Sequence, residues 1–141
     1  MRCGSVKEMM TTDSETVVRR FYAARAAGDR DTVRELVADD VAWHDPYPPP
    51  HGGDLRGRDA VFRDVFDAAG ELTGGTTRLW LEQVMATGRH VAAMVGWSST
   101  FRGRSMSGRE LAVFHVEGGR IVEAWFYPED PAAVMAFFGP A

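Results

Sequence analysis

Residues 17–46 read VVRRFYAARAAGDRDTVRELVADDVAWHDP, and the repeat of their apolar residues changes along the stretch. Val17, Val18, Phe21, Tyr22 and Arg25 recur at helical spacing, so one face of a first helix is apolar. Gly28 ends that helix, because glycine readily takes the left-handed conformation that closes a last turn. Asp29 can cap a second helix, RDTVRELVADD, with Val33, Leu36 and Val37 on its buried side. The period then drops to two. Val41, Trp43 and Asp45 point one way along a short strand, and Ala42 and His44 the other, until Pro46 stops it.

Outward from this stretch, residues 1–12 read as a flexible tail, and Thr12-Asp13-Ser14-Glu15 has capping-box spacing, so a single folded domain is expected over 13–141. Residues 47–56 are loop by composition. GRDAVFRDVFDAAGEL predicts a third helix, with Ala60, Val61, Val65 and Phe66 on or near its inner side. From Thr76 the period is again two: TTRLWLEQVMA, HVAAMVGWSSTFRG, SGRELAVFHVEGG and RIVEAWFYP are four strands joined by glycine-containing turns. EDPAAVMAFFG supplies a last helix. Helices set apart from a mostly antiparallel sheet give an α+β fold.

Composition narrows the function. The chain has 141 residues, a net charge of −4 and no basic block, which argues against nucleic acid as a partner. Apolar runs such as residues 91–95 are too short to cross a membrane. The start of the chain lacks the apolar segment of a signal peptide, and Cys3 is the sole cysteine, so no intrachain disulfide can form and a reducing cytoplasm is the expected setting.

The stretch WHDPYPPPH, residues 43–51, is where chemistry concentrates. Asp45 shares a strand face with Val41 and Trp43, a conflict between polarity and pattern. A buried carboxyl titrates high and can serve as a base near neutral pH. The alternative is that Asp45 caps the Asx-Pro turn that follows. His44 points away from Asp45 on a regular strand, while His51 can reach over a cavity mouth. Two histidines and one aspartate at uneven spacing do not make a metal site, and no metal is expected. GGDLRGRD has glycines but lacks the Lys-Ser/Thr pair of a phosphate loop, and GWSST lacks the second glycine of a nucleophile elbow.

Further along, Trp97 and Ser99 share a face with Val91, Ala93 and Val95. Ala112, Phe114 and Val116 share one with Glu110. Concave faces of this kind would mix aromatic walls with a few polar groups, as small-molecule pockets do. Glu110 reads equally as a solvated strand end. Tyr22 and Tyr127 stay open between faces, and Trp80 and Trp125 are candidates for an outer sheet face covered by a partner subunit.

VVRRFYAARAAGDRDTVRELVADDVAWHDP resembles the opening of ketosteroid isomerases and SnoaL-like polyketide cyclases, in the superfamily named after nuclear transport factor two. LRGRDAVFRDVF and VFHVEGGRIVEAWFYPED are similar to that family's later helix start and last two strands, so the resemblance covers about residues 14–139. It implies a curved, mostly antiparallel sheet wrapped by helices into a cone-shaped α+β barrel, an apolar cavity and a homodimer through the outer sheet face. Isomerases, cyclases, epoxide hydrolases and non-catalytic proteins share that fold. Asp45 falls on the position of the isomerase's general base. The isomerase's oxyanion-holding tyrosine and aspartic acid fall on Phe21 and Ala112, with Tyr22 and Glu110 nearby. Losing both donors makes a true steroid isomerase a poor fit. The resemblance thus implies a cofactor-independent enzyme for an apolar polyketide- or terpenoid-like substrate. Asp45, His51, Tyr22 and Glu110 are the candidate catalytic groups, and Phe21, Trp43, Phe66, Trp97, Ser99 and Phe114 the substrate-binding ones. A non-catalytic binding or accessory protein of the same fold is the rival.

Overall fold

A computed structural model describes residues 2–46 and 52–139. The elements run α1 (Arg2–Ala27), α2 (Arg30–Leu36), β1 (Val37–Asp45), β2 (Gly53–Arg56), α3 (Arg58–Val61), a π-helical turn (Phe62–Asp67), α4 (Ala68–Thr73), β3 (Arg78–Thr87), β4 (His90–Phe101), β5 (Arg104–Glu117), β6 (Arg120–Pro128) and α5 (Pro131–Phe138). The strands form one sheet ordered β2-β1-β6-β5-β4-β3. Only the β1–β6 pair is parallel among the described strands; the others are antiparallel neighbours. This is the α+β architecture expected, an open sheet with helices on its inner side.

Four differences from the sequence reading stand out. The first helix begins at Arg2 instead of at the capping-box spacing near Thr12, and residues 5–27 contain no glycine or proline to interrupt it. β2 lies inside the stretch expected to be loop, where Asp54 pairs with His44 and Leu55 with Trp43 in an antiparallel ladder. The third helix is real but widened in its middle by the π-helical turn, a distortion often found beside functional sites. The second helix also ends early, at Leu36, and Val37 already belongs to β1.

The core lies between α1 and the inner sheet face. α1 packs chiefly on β3 and also touches β4, β5 and β6. Ser14 Oγ donates to the Gly88 carbonyl at 3.1 Å, pinning α1 to the β3–β4 turn. Val18 and Phe21 are wholly buried, as are Val41, Val91, Val95, Phe114 and Ile121 from the sheet. Burial of a ring the size of Phe21 contributes roughly 1.5–3 kcal/mol. A register shift between Leu81 and Gln83 lets β3 keep both Leu81 and Val84 packed against the core. α5 closes one end. Asp130 caps it by accepting from the Ala133 amide at 3.0 Å, and Phe137 packs on Phe101.

Candidate functional site

α1 delivers three side chains to the site. Phe21 is the centre of an aromatic cluster, with ring centroids 6.1 Å from Trp43, 6.2 Å from Phe66 and 5.9 Å from Phe114. Tyr22, one step around the helix, is also buried and meets Phe114 edge-on at 6.0 Å. Arg25, a turn further, lays its guanidinium 4.2 Å above the Phe66 ring and 5.8 Å from that of Phe21. β1 supplies Trp43, 1% exposed, and half-buried Asp45 at the strand's end. The alternation read from the sequence explains both, since His44 between them points to the opposite face.

β5 supplies Glu110, Ala112 and Phe114 on one face. Arg109, the residue before, points outward and is held there by Glu82 at 3.3 Å and Glu129 at 2.8 Å. Glu110 therefore turns inward and is not the solvated strand end that its sequence position equally allowed. Burial, the proximity of Asp45 and, in opposition, Arg25 together set its carboxyl at about 7, against an ordinary 4.5. Its neighbours respond in kind. Burial, then the Glu110 charge, push the Tyr22 hydroxyl far above its usual range, so it stays a neutral donor. Burial lowers Arg25 below the usual guanidinium range, while Tyr22 and Glu110 oppose that.

Asp45, Glu110, Tyr22 and Arg25 thus form one electrostatic group set in an aromatic wall. Within that wall the Trp43 Nε1–H is buried with no hydrogen-bond partner among the described residues, leaving a donor for a guest. Phe126 completes it, its ring 4.9 Å from Trp43 and 5.9 Å from Phe114.

Not every expected residue joins this group. Ser99 Oγ bonds Thr77 Oγ1 at 2.6 Å, and Thr77 continues to Thr73, so Ser99 ties β4 to the end of α4. Trp97 lies over Gly108 and 6.3 Å from Phe138 of α5. His51 and Tyr47 lie outside the described residues. Tyr127 and Trp80 are exposed on the outer sheet face, where Trp125 stacks on His44. His44 itself bridges Asp54 Oδ1 at 2.9 Å and Glu123 Oε2 at 2.7 Å, which raises its pKa above the usual value. Among the described residues no group of three or more His, Cys, Asp or Glu is placed to hold a metal ion.

Sequence reasoning passed over Arg25, Phe62 and Phe126 as site residues. Arg25 carried a usable signal: it is a charged residue in the apolar stripe of α1, the same conflict that marked Asp45. Two open pockets flank the group among the described residues. One of about 170 Å³ is lined by Ala24, Arg25, Arg30, Val33, Phe62 and Phe66, with Gly28 and Asp29 at its edge. Another of about 290 Å³ lies between α1 and β3, beside Tyr22, Leu79 and Leu81.

A fold of this shape defines a class, and comparison with known proteins agrees on it. The chain belongs to the SnoaL-like domain family, whose model matches residues 18–124. An uncharacterized protein of Mycobacterium tuberculosis is 33% identical over 131 residues, 92% of this chain and 99% of the relative; one from Mycobacterium bovis matches equally. The solved structure of Bal32a, from a soil-derived mobile gene cassette, is 28% identical with a TM-score of 0.86, covering 92% of this chain and 99% of that one. IdmH of Streptomyces antibioticus, put forward as a polyketide cyclase, superposes with a TM-score of 0.69 at 24% identity, over 83% of this chain and 92% of its own, a likeness of fold. No helix among the described residues is long and apolar enough to cross a membrane.

Proposed function

We propose that the protein is a cofactor-independent cytoplasmic enzyme that moves a proton on an apolar, polyketide- or terpenoid-like small molecule, using Asp45 and Glu110 as a carboxyl pair. The observation that carries this reading is the inward turn of Glu110 from β5 to within electrostatic reach of Asp45, where burial first and Asp45 second push its carboxyl up to about 7. Two neighbouring carboxyls that repel tend to hold one proton between them near neutral pH. In that state the ionised member accepts a proton and the neutral member can return one, which suits isomerisation, aldol-type cyclisation and epoxide opening alike. The buried Tyr22 hydroxyl and the Trp43 indole N–H offer neutral donors for oxygen on the reacting carbon, in place of the donors missing at Phe21 and Ala112. His51, six residues after Asp45 in the sequence, is the remaining candidate to assist. Phe21, Phe66, Phe114 and Phe126 hold the substrate's apolar body and exclude water, and fixing a reactive conformation can contribute a large share of rate.

A second reading, a binding or accessory protein without chemistry, draws on Phe21 and Ala112 at the two positions where isomerases carry donors. The two readings part in one experiment. Wild type and Asp45→Asn are incubated with a metabolite extract, and bound and free compounds are weighed by mass spectrometry. Consumption by wild type alone supports the enzyme. Retention of an unchanged compound by both proteins supports the binder.

The outer sheet face carries Trp80, Leu111 and Tyr127, all exposed, and we assign it to a homodimer contact, since exposed aromatic and aliphatic side chains gathered on one face mark association sites.

A further inference from the structure

We infer that Arg25 is an anion-binding residue of this site, and that the substrate is an apolar small molecule carrying a carboxylate seated on its guanidinium. The inference rests on the carboxyl-pair reading above and adds a substrate class to it.

Two arginines are half-buried among the residues whose side chains are described, Arg25 and Arg58. Arg58 is engaged at its terminal nitrogens, which meet Asp39 Oδ1 at 2.8 Å and the carbonyls of Arg34 and Val37 at 3.0 and 3.3 Å, while its Nε is buried without a partner among the described residues. Arg25 has no hydrogen bond or ion pair of that kind among the described residues. Its contacts are the faces of Phe66 and Phe21. Partly withdrawing a cation from water without an anionic partner is costly, and contact with ring faces recovers only part of that. A guanidinium held over an aromatic face still has N–H donors, and paired donors of this kind match a carboxylate.

The surroundings fit such a guest. Arg25 lines the pocket of about 170 Å³, whose other walls include Phe62, Phe66 and Val33. Arg30, on the same rim, is bound to Asp67 at 2.7 Å, and the Asp29 carboxylate is engaged by the Thr32 amide and hydroxyl, at 3.2 and 2.6 Å. Arg25 is therefore the wall group with donors to spare. It also stands within electrostatic reach of Glu110. A carboxylate bound at Arg25 would anchor a substrate whose apolar body extends along the Phe66 and Phe21 rings toward the carboxyl pair. The arriving negative charge would also favour the protonated form of Glu110.

The test is binding of 1-naphthoate against its neutral counterpart 1-naphthamide, by isothermal titration at pH 7, to wild type, Arg25→Gln and Asp45→Asn. Wild type should prefer the acid by about tenfold or more, the scale of one charge-assisted contact. Arg25→Gln should lose that preference while its affinity for the amide stays within about twofold, which also shows the pocket intact. Asp45→Asn should keep the preference. Equal affinity of wild type for acid and amide, no binding of 1-naphthoate at millimolar concentration, or an unchanged preference in Arg25→Gln would overturn the inference. Turnover that needs Asp45 but shows no acid preference would remove Arg25 and leave the carboxyl-pair reading standing. An acid preference that needs Arg25, in a protein without turnover, would do the reverse.

Discussion

Replacing Glu110 with glutamine should stabilise the protein at alkaline pH and barely alter it in acid. The two side chains are nearly isosteric, so the shape at this position on β5 is kept while the charge is removed. In the folded chain burial and Asp45 raise the Glu110 carboxyl from 4.5 to about 7. The folded state therefore keeps its proton to a higher pH than the unfolded state does. Between those values the unfolded chain binds fewer protons, so stability falls as pH rises, and the loss levels off above 7. One pKa unit is worth about 1.4 kcal/mol, so the full displacement amounts to roughly 3 kcal/mol. Urea unfolding of wild type and Glu110→Gln at pH 4, 6 and 8 measures it directly. The variant's advantage should grow by up to about 3 kcal/mol from pH 4 to pH 8, most of it gained before pH 7. A difference that does not vary with pH would refute the claim that this carboxyl is ionised at a cost inside the fold.

Other consequences are open to the same kind of measurement. His44 gains its proton affinity first from Asp54 and then from Glu123, so this contribution to stability is present below its unfolded value of 6.5 and lost as pH climbs through its raised one. Asp54→Asn should lower the imidazole titration midpoint seen by NMR; because Asp54 is largely exposed, added salt should shrink the effect, and an unmoved midpoint would deny the contact. A methyl group on Gly108 would come within 2.8 Å of Trp97 Cζ2, so Gly108→Ala should cost about 1–3 kcal/mol by chemical denaturation. If the outer sheet face joins two copies, light scattering at micromolar concentration should give twice the chain mass, and Leu111→Lys should return the monomer. A wild-type monomer would end that assignment.

Much of the scaffold was legible in the sequence because its signals were periodic. Val41 and Trp43 face the core and His44 faces out, as alternation demanded, and the four long strands fall within a few residues of where glycine turns placed them. β2 was hidden because a strand of four residues beside a proline run has too few positions to show a period. The parallel β1–β6 pairing joins residues about eighty positions apart, beyond any local pattern.

The site was legible in part. Asp45 announced itself as a carboxyl in an apolar row. The inward turn of Glu110 depends on Arg109 being drawn outward by Glu82 and Glu129, a cross-strand arrangement that spacing along β5 does not encode. Trp97 and Ser99 lie on the expected face, yet the end of that face is taken up by α5 and by the Thr77 hydroxyl. Arg25 was counted into a helical stripe, and its importance emerges only when Phe66, from a distant helix, is found beneath it.

The central claim is that Glu110, raised by burial and by the neighbouring Asp45, titrates near neutral pH. Carbon-detected NMR of the glutamate side-chain carboxyls, in wild type and in Asp45→Asn, tests it most directly. The account predicts a Glu110 resonance titrating at about 7 in wild type and clearly lower once the aspartate charge is gone. A Glu110 carboxyl that titrates near 4.5 in both proteins would contradict it.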